Sequence, residues 1–439
     1  MLIFFLLFVL VGLMILATTR WKLHPFLALL LAALAMGFVA GLDPASTIVK
    51  ITEGFGGTLK SIGIVIACGT IIGTFLERSG AAQTLAATVL KAVGEKRAPL
   101  AMNLTGFLVS IPVFCDSGFV ILAALNRALN RKTKISLAVL AVALATGLYA
   151  THVFVPPTPG PLAAAAALQA DLGLVLLLGL VVAVPSALAG LLWALWYARR
   201  FRIDAAEVPA ETAVEAAPGA ARSFAPIVVP ILLIALKSVA DYPTAPLGRG
   251  FLQTTFDFIG HPVVALLIGV FLAFALKTDG EKSRRMSWVG DGLKNAGVII
   301  LITGAGGAFG QVLRATDLGQ SLGQGMTQWH FGVFLPFLIA AVLKSAQGSS
   351  TVSIITTAAM VAPLLEPMSM ASGAGRALAV LAIGAGAMTV SHVNDSYFWV
   401  VAQFSDMDTA TALRCQTLAT LVQGVAGIVV IALLAWILV

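Results

Sequence analysis

The sequence predicts an all-α polytopic membrane protein: two inverted repeats, about ten transmembrane helices, two opposed re-entrant hairpins and two interrupted helices. Composition, the placement of basic residues and internal self-similarity predict it. Of 439 residues, 59% are hydrophobic and 11% charged, with a mean hydropathy of +0.98, whereas soluble domains carry about a quarter charged residues. Apolar runs at 2–19, 62–76, 172–198 and 412–439 are long enough for helices that cross a hydrocarbon layer of roughly 30 Å.

The expected spans, in order, are 2–19, 24–42, 61–77, 135–170 (interrupted), 172–198, 224–240, 262–277, 296–313, 376–404 (interrupted) and 412–439. The first run lacks a basic leader and a clear small-residue cleavage site, so it reads as a span and not a secretory signal. The net charge of +7 arises in short connections between apolar runs, which is a topology signal and not a nucleic-acid footprint. Clusters at Arg20/Lys22, Lys91/Lys96/Arg97, Arg127/Arg131/Lys132/Lys134, Arg199/Arg200/Arg202 and Lys277/Lys282/Arg284/Arg285 are expected on the cytoplasmic side. Ten spans and two hairpins satisfy this with both termini outside, and the expected location is a bacterial-type cell (inner) membrane.

Between two of those clusters, residues 98–126 hold a single charge, Asp116. Two full crossings need about 40 residues, so 29 residues with basic ends on one side predict a hairpin that turns back near 112–118. Non-helical backbone at that depth must be buried in protein or line a wet cavity. A second stretch, 331–365, holds only Lys344 as a charge and contains "SAQGSSTVS" at 345–353, and it is expected to enter from the outside. The Ala-, Pro- and Glu-rich segment 202–223 reads as a cytoplasmic linker, so the repeats are expected at 1–201 and 224–439.

Self-comparison supports the repeat. "LKSIGIVI" at 59–66 matches "LKNAGVII" at 293–300, "GTFL" through "QTL" at 73–85 matches "GQVL" through "QSL" at 310–322, and "THV" at 151–153 matches "SHV" at 391–393. Inverted repeats with discontinuous helices meeting near the bilayer midplane are an architecture of secondary transporters, with substrate at the breaks. No H-E-x-x-H, P-loop or G-x-S-x-G motif is present, so the enzyme reading is weak. Cys68, Cys115 and Cys415 lack metal-ligand spacing and read as small hydrophobes.

The segments "GGTLKS" (56–61), "FCDSGFV" (114–120), "THVFVPPTPGP" (151–161), "GSSTV" (348–352) and "SHVNDSYFW" (391–399) resemble the gluconate permease (gluconate:proton symporter) family of the ion transporter superfamily, over nearly the whole chain. The resemblance implies uptake of a sugar acid or related hydroxy acid with protons, by elevator-like movement of a transport domain against a dimeric scaffold, hence a homodimer. The chain departs from the gluconate branch at "CDSGF", where a glutamate followed by Val-Gly-Phe is expected; Asp116 keeps the acid and shortens it. The choice among sugar acids and short hydroxy acids stays open.

Asp116 at a buried tip would cost roughly 2.5–3.5 kcal/mol on insertion scales. It is therefore expected to be a proton-coupling group, because burial disfavours a charged carboxyl, or else a structural acceptor for tip amides. His152 and His392 occupy equivalent breaks and are expected to bind substrate or relay protons, the alternative being hydrogen-bonded packing. Asn394 and Asp395 suit a polyol acid or a helix cap. Thr158, among Pro156, Pro157, Pro159 and Pro161, joins the expected binding set, although the prolines' role is to hold the break open. Ser349, Ser350, Thr351 and Ser353 offer hydroxyls and amides to a carboxylate where a half-helix begins, or simply small surfaces for packing. Lys344 is read three ways: countering substrate charge, snorkelling to the outer interface, or pairing with an acid. Lys237 and Arg376 are expected as interfacial anchors. No cofactor is expected beyond coupling protons; sodium coupling is the nearer rival, and an anion channel the alternative of a different class.

Overall fold

A computed structural model describes residues 9–10, 12–13, 16–17, 20–205, 218–240, 250–276, 282–316, 332–392 and 395–439. Most of the expected span 2–19, most of the linker 202–223 and Asn394 therefore lie outside the described residues. Among the described residues the elements are helical. In chain order they are α1 (Pro25–Val39), α2 (Pro44–Arg78), α3 (Ala81–Val93), α4 (Ala98–Val109), α5 (Cys115–Thr133), α6 (Leu137–Phe154), α7 (Pro159–Leu168), α8 (Leu172–Trp196) and α9 (Ala220–Ala240). There follow α10 (Phe251–Ile259), α11 (Pro262–Phe274), α12 (Lys282–Arg314), α13 (Phe334–Gln347), α14 (Ser350–Val361), α15 (Gly373–Met388), α16 (Ser396–Phe404) and α17 (Leu418–Leu438), the last continuous with a π-helical turn, Leu413–Thr417.

Local chemistry sets these boundaries. Asp43 and Pro44 start α2, the carboxylate accepting from the Ser46 amide, and Asp171 caps α8 through the Leu174 amide. The first hairpin turns at 110–114 around Pro112, and the second at Gly348, whose φ of 85° suits a residue without Cβ. The first interrupted helix breaks at 155–158, where Pro156 and Pro157, with Pro159 at the start of α7, remove backbone donors, and the second breaks after Met388, its described residues being 389–392 and Asp395.

Two helices were not among the expected spans. α3 occupies what read as a connection: Ala81, Ala82, Leu85, Ala86 and Val89 form one buried face, but 13 residues reach only about 20 Å and cannot cross the layer. α10 meets α11 at a 65° bend before Pro262. The expected span 61–77 is the second half of a longer helix, α2, of 35 residues. By length and apolar composition, five described helices can cross a membrane, or up to seven if each bent pair is one span. Their outer faces carry Val181, Leu192, Phe271 and Trp436, each more than half exposed, as expected for a multi-pass protein solvated by lipid.

The interrupted helices lie innermost. All 18 residues of α6 are buried, and α15 is buried continuously from Ala377 to Met388. Both hairpins and α8 and α17 pack around them, while α1, α2 and α12 form a group whose long helices run against α7 and α14. Close approach inside this unit depends on glycine. A Cβ on Gly147 would lie 2.0 Å from the Asn103 carbonyl oxygen, and one on Gly106 2.6 Å from that of Leu144. Gly147→Ala is expected to destabilise the protein by about 1–3 kcal/mol through overpacking, read as a lower melting temperature in detergent.

Candidate functional site

Among the described residues, the two hairpin tips and the two helix breaks hold the buried polar residues Ser110, Thr158, Ser350, Thr389, Ser391 and Asp395. Lys344, on α13, has a fully buried side chain, and its Nζ lies 2.5 Å from Asp395 Oδ2. It also donates to the Gly348 carbonyl, which sits in the second hairpin's turn. A buried ammonium so placed is satisfied only by full pairing. Of the three readings of Lys344, snorkelling to the interface is excluded and pairing with an acid is observed.

Asp395 does three things at once. Its Oδ1 accepts from the Tyr397 amide at 3.2 Å and so caps α16; its Oδ2 takes both the lysine and the Ser391 hydroxyl, the latter at 2.5 Å. The break before it is held by its neighbours: Thr417 Oγ1 donates to Ser391 O at 2.6 Å, and the Ser391 amide donates to Thr420 Oγ1 at 3.0 Å. His392 Nε2 lies 2.9 Å from the Ser345 carbonyl, tying the second break to the second hairpin.

Asp116 is in the first turn of α5, where the helix dipole favours a negative charge. One of its carboxylate oxygens, Oδ1, is buried and has no hydrogen-bond partner, while Ser396, in the first turn of α16, reaches the carboxylate. The first turns of α5 and α16 therefore meet. Those of α7 and α14 lie together as well, since a Cβ on Gly160 would touch Ile354 at 2.8 Å. Four half-helix N-termini are thereby gathered about one lysine and two carboxylates, and such termini attract anions.

An aromatic wall joins the two breaks. The Tyr149 and Tyr397 rings are 5.1 Å apart, with Lys344 Nζ 5.9 Å from the Tyr149 centroid. The hydroxyl of Tyr397 donates to Ala145 O at 2.9 Å and that of Tyr149 to Ala387 O at 3.3 Å, each crossing to the other interrupted helix. His152 stacks on Tyr149 and sits 6.1 Å from the Phe114 ring at the first tip, and its buried Nδ1 has no partner.

The fold thus brings Asp116, His152, His392 and Asp395 into one region with Lys344. The hydroxyl residues divide. Ser349 caps α14 through the Val352 amide and Ser350 begins that helix beside Tyr149. Ser353 donates to Ala340 O at 2.8 Å, binding α14 to α13. Thr351 is half-buried in the first turn of α14. Thr158 donates to Val155 O at 2.6 Å, so its hydroxyl steadies the break, and it lines a small cavity with Thr70, Pro112 and Phe114. Arg376 ties the start of α15 to the end of α7 through the Leu168 carbonyl, and Lys237 lies 3.6 Å from Asp257. Tyr149, Tyr397 and Ser391 were not anticipated, although two of the chain's four tyrosines fall three residues before His152 and five after His392.

The profile described as GntP family permease matches residues 1–437. A gluconate permease of Pseudomonas aeruginosa is 36% identical over 440 residues, covering 98% of this chain and 96% of the relative. The Gnt-II system L-idonate transporter of Escherichia coli is 32% identical over 427 residues, 95% of each chain. Among solved structures, the YdaH transporter of Alcanivorax borkumensis superposes with a TM-score of 0.67 at 15% identity, covering 94% of this chain and 98% of that one. A match along almost the whole length, with several relatives above 30% identity, gives the conclusion: the chain belongs to the GntP family of permeases.

Proposed function

We propose that this protein is a secondary transporter that takes up gluconate or a related sugar acid together with protons. The observation that carries the proposal is the placement of Asp116, with a buried unpartnered oxygen, among four half-helix N-termini and the Lys344–Asp395 pair. Lys344 and Asp395 neutralise each other, so the charge state of the site turns on Asp116. An ionised Asp116 repels a substrate carboxylate; a protonated one leaves the helix dipoles free to hold it. Proton and anion then bind together, which is the requirement for symport.

In this reading the carboxylate sits at the first turn of α14, among Ser350, Thr351 and neighbouring amides, and the substrate hydroxyls meet His392, His152 and Asn394. The relatives named for gluconate and L-idonate transport support a sugar acid as the substrate class. The order of elements supports two repeats, 1–201 and 224–439, and the placement of the basic clusters supports their opposite orientation. In each, a long helix is followed by a hairpin, a broken helix and a further long helix: α2, α4/α5, α6/α7 and α8, then α12, α13/α14, α15/α16 and α17. The buried hairpins and broken helices form a body that moves, elevator-like, against α2 and α12. A cleft of about 560 Å³ between the ends of α7 and α14 and those two long helices supports this division. The working unit is a homodimer in the inner membrane, with both termini outside and the linker in the cytoplasm.

The test is uptake of labelled gluconate into liposomes holding the purified protein, under an inward proton gradient, a sodium gradient or neither. Accumulation driven by protons alone is expected. Sodium-only accumulation would overturn the coupling assignment, and ungated equilibration without accumulation would make the protein a channel.

A further inference from the structure

At the end of the molecule where α4 and α6 begin and α8 ends, a cleft of about 850 Å³ is lined by five basic side chains, Lys96, Arg97, Lys134, Arg199 and Arg202, and a single acid, Asp204. They come from three separate segments: the turn before α4, the connection between α5 and α6, and the chain after α8. Among the described residues none of the five has an acid within ion-pair distance. Their neighbours do: Arg127 pairs with Asp406 at 2.9 Å and Lys132 with Glu95 at 2.5 Å. Asp204 sits 3.5 Å from the Asn130 amide nitrogen. Positive topology alone asks only for a basic connection, whereas here five like charges face one concavity.

The remaining wall is apolar. Leu100, Val139, Leu191 and Leu195 belong to α4, α6 and α8; Val139 and Leu191 are buried and form the inner wall of the cleft, while Leu100 is half-buried and Leu195 is exposed at its outer side. Its depth in the bilayer is marked by the aromatic cluster that ends α8. Trp193 stacks on Tyr197 at 4.6 Å, and the Arg200 guanidinium lies 5.0 Å from the Trp196 ring, the arrangement of a membrane–water boundary.

We propose that this cleft binds an anionic phospholipid, its phosphate among the five cations and its acyl chains along Leu191, Leu195 and Leu100. A soluble anion would match the charge but leave the apolar wall uncovered; a zwitterionic lipid would match the wall but bring its own cation. Basic pockets between membrane helices are known to take acidic headgroups for these reasons. The site is separate from the buried centre, so its failure would leave the transport reading untouched.

Native mass spectrometry of the protein in a neutral detergent tests this, with phosphatidylglycerol and phosphatidylcholine of the same chain composition added in turn. Phosphatidylglycerol is expected to be retained at the lower concentration. Arg199→Gln/Arg202→Gln should weaken that retention roughly 25-fold, about fivefold for each cation removed, while Lys91→Gln, outside the cleft, changes nothing. Should the double variant fold poorly, Lys134→Gln, an exposed side chain at the end of α5, carries the same test at about fivefold. Equal retention of the two lipids, or undiminished phosphatidylglycerol binding in these variants, would overturn the proposal. So would displacement of the lipid by millimolar inorganic phosphate, which would make the cleft a free-anion site.

Discussion

Lys344→Met is expected to lower stability by about 3–5 kcal/mol and to abolish uptake, because it leaves Asp395 charged, buried and unpaired. Among the described residues, the carboxylate then retains the Ser391 hydroxyl and the Tyr397 amide. Two roles for the pair make different predictions for Lys344→Met/Asp395→Leu. Removing both charges removes the desolvation penalty, so most of the lost stability returns, apart from about 1 kcal/mol for the lost α16 cap. If the pair only holds the fold, uptake returns with it. If the lysine also sets the field in which an anion binds, the double variant is stable and inactive, and this is the outcome expected. Melting temperature in detergent and uptake in liposomes, measured on the same preparations, separate the two.

The pairing itself could not be read from the sequence, and the reason is distance along the chain. Lys344 and Asp395 are 51 residues apart and lie on different elements, and nothing in either segment names its partner. What a sequence displays well is exception to a local pattern. A lone charge in 29 residues marked the first hairpin, whose turn falls at 110–114, and four closely spaced prolines marked the break at 155–158. Glycine and serine at 348–349 marked the second turn in the same way. Where the signal was only an amphipathic pattern in a short polar stretch, as in α3, a 13-residue helix passed for a connection. The tyrosines were overlooked for the opposite reason: within α6 and α16 they read as ordinary aromatic packing, and their hydroxyls matter only because each meets a carbonyl on the other interrupted helix. Ser353 stands beside Ser350 and Thr351 in the sequence, but only the folded chain shows that its hydroxyl donates across to α13.

Asp116→Asn should abolish accumulation driven by a proton gradient while leaving substrate exchange. An inward gradient of one pH unit supplies about 1.36 kcal/mol per proton, enough for about tenfold accumulation of a substrate that moves with one proton. Asparagine has nearly the shape of the protonated carboxyl and no ionised form, so the variant resembles the carrier with its proton permanently in place. It can load and unload the anion, yet it can neither gain a proton outside nor release one inside. The expected accumulation ratio therefore falls to about one, and labelled substrate still exchanges against unlabelled substrate across the liposome membrane. A structural role predicts the reverse. Were Asp116 only an acceptor for amides at the tip, the asparagine carbonyl would replace it and gradient-driven accumulation would survive. The structure bears on this choice through one atom: Asp116 Oδ1 is buried beside the first turn of α16 and accepts from no amide. An acceptor installed to satisfy the hairpin backbone would be bonded to it, whereas a site that must take up and release a proton needs an oxygen left free.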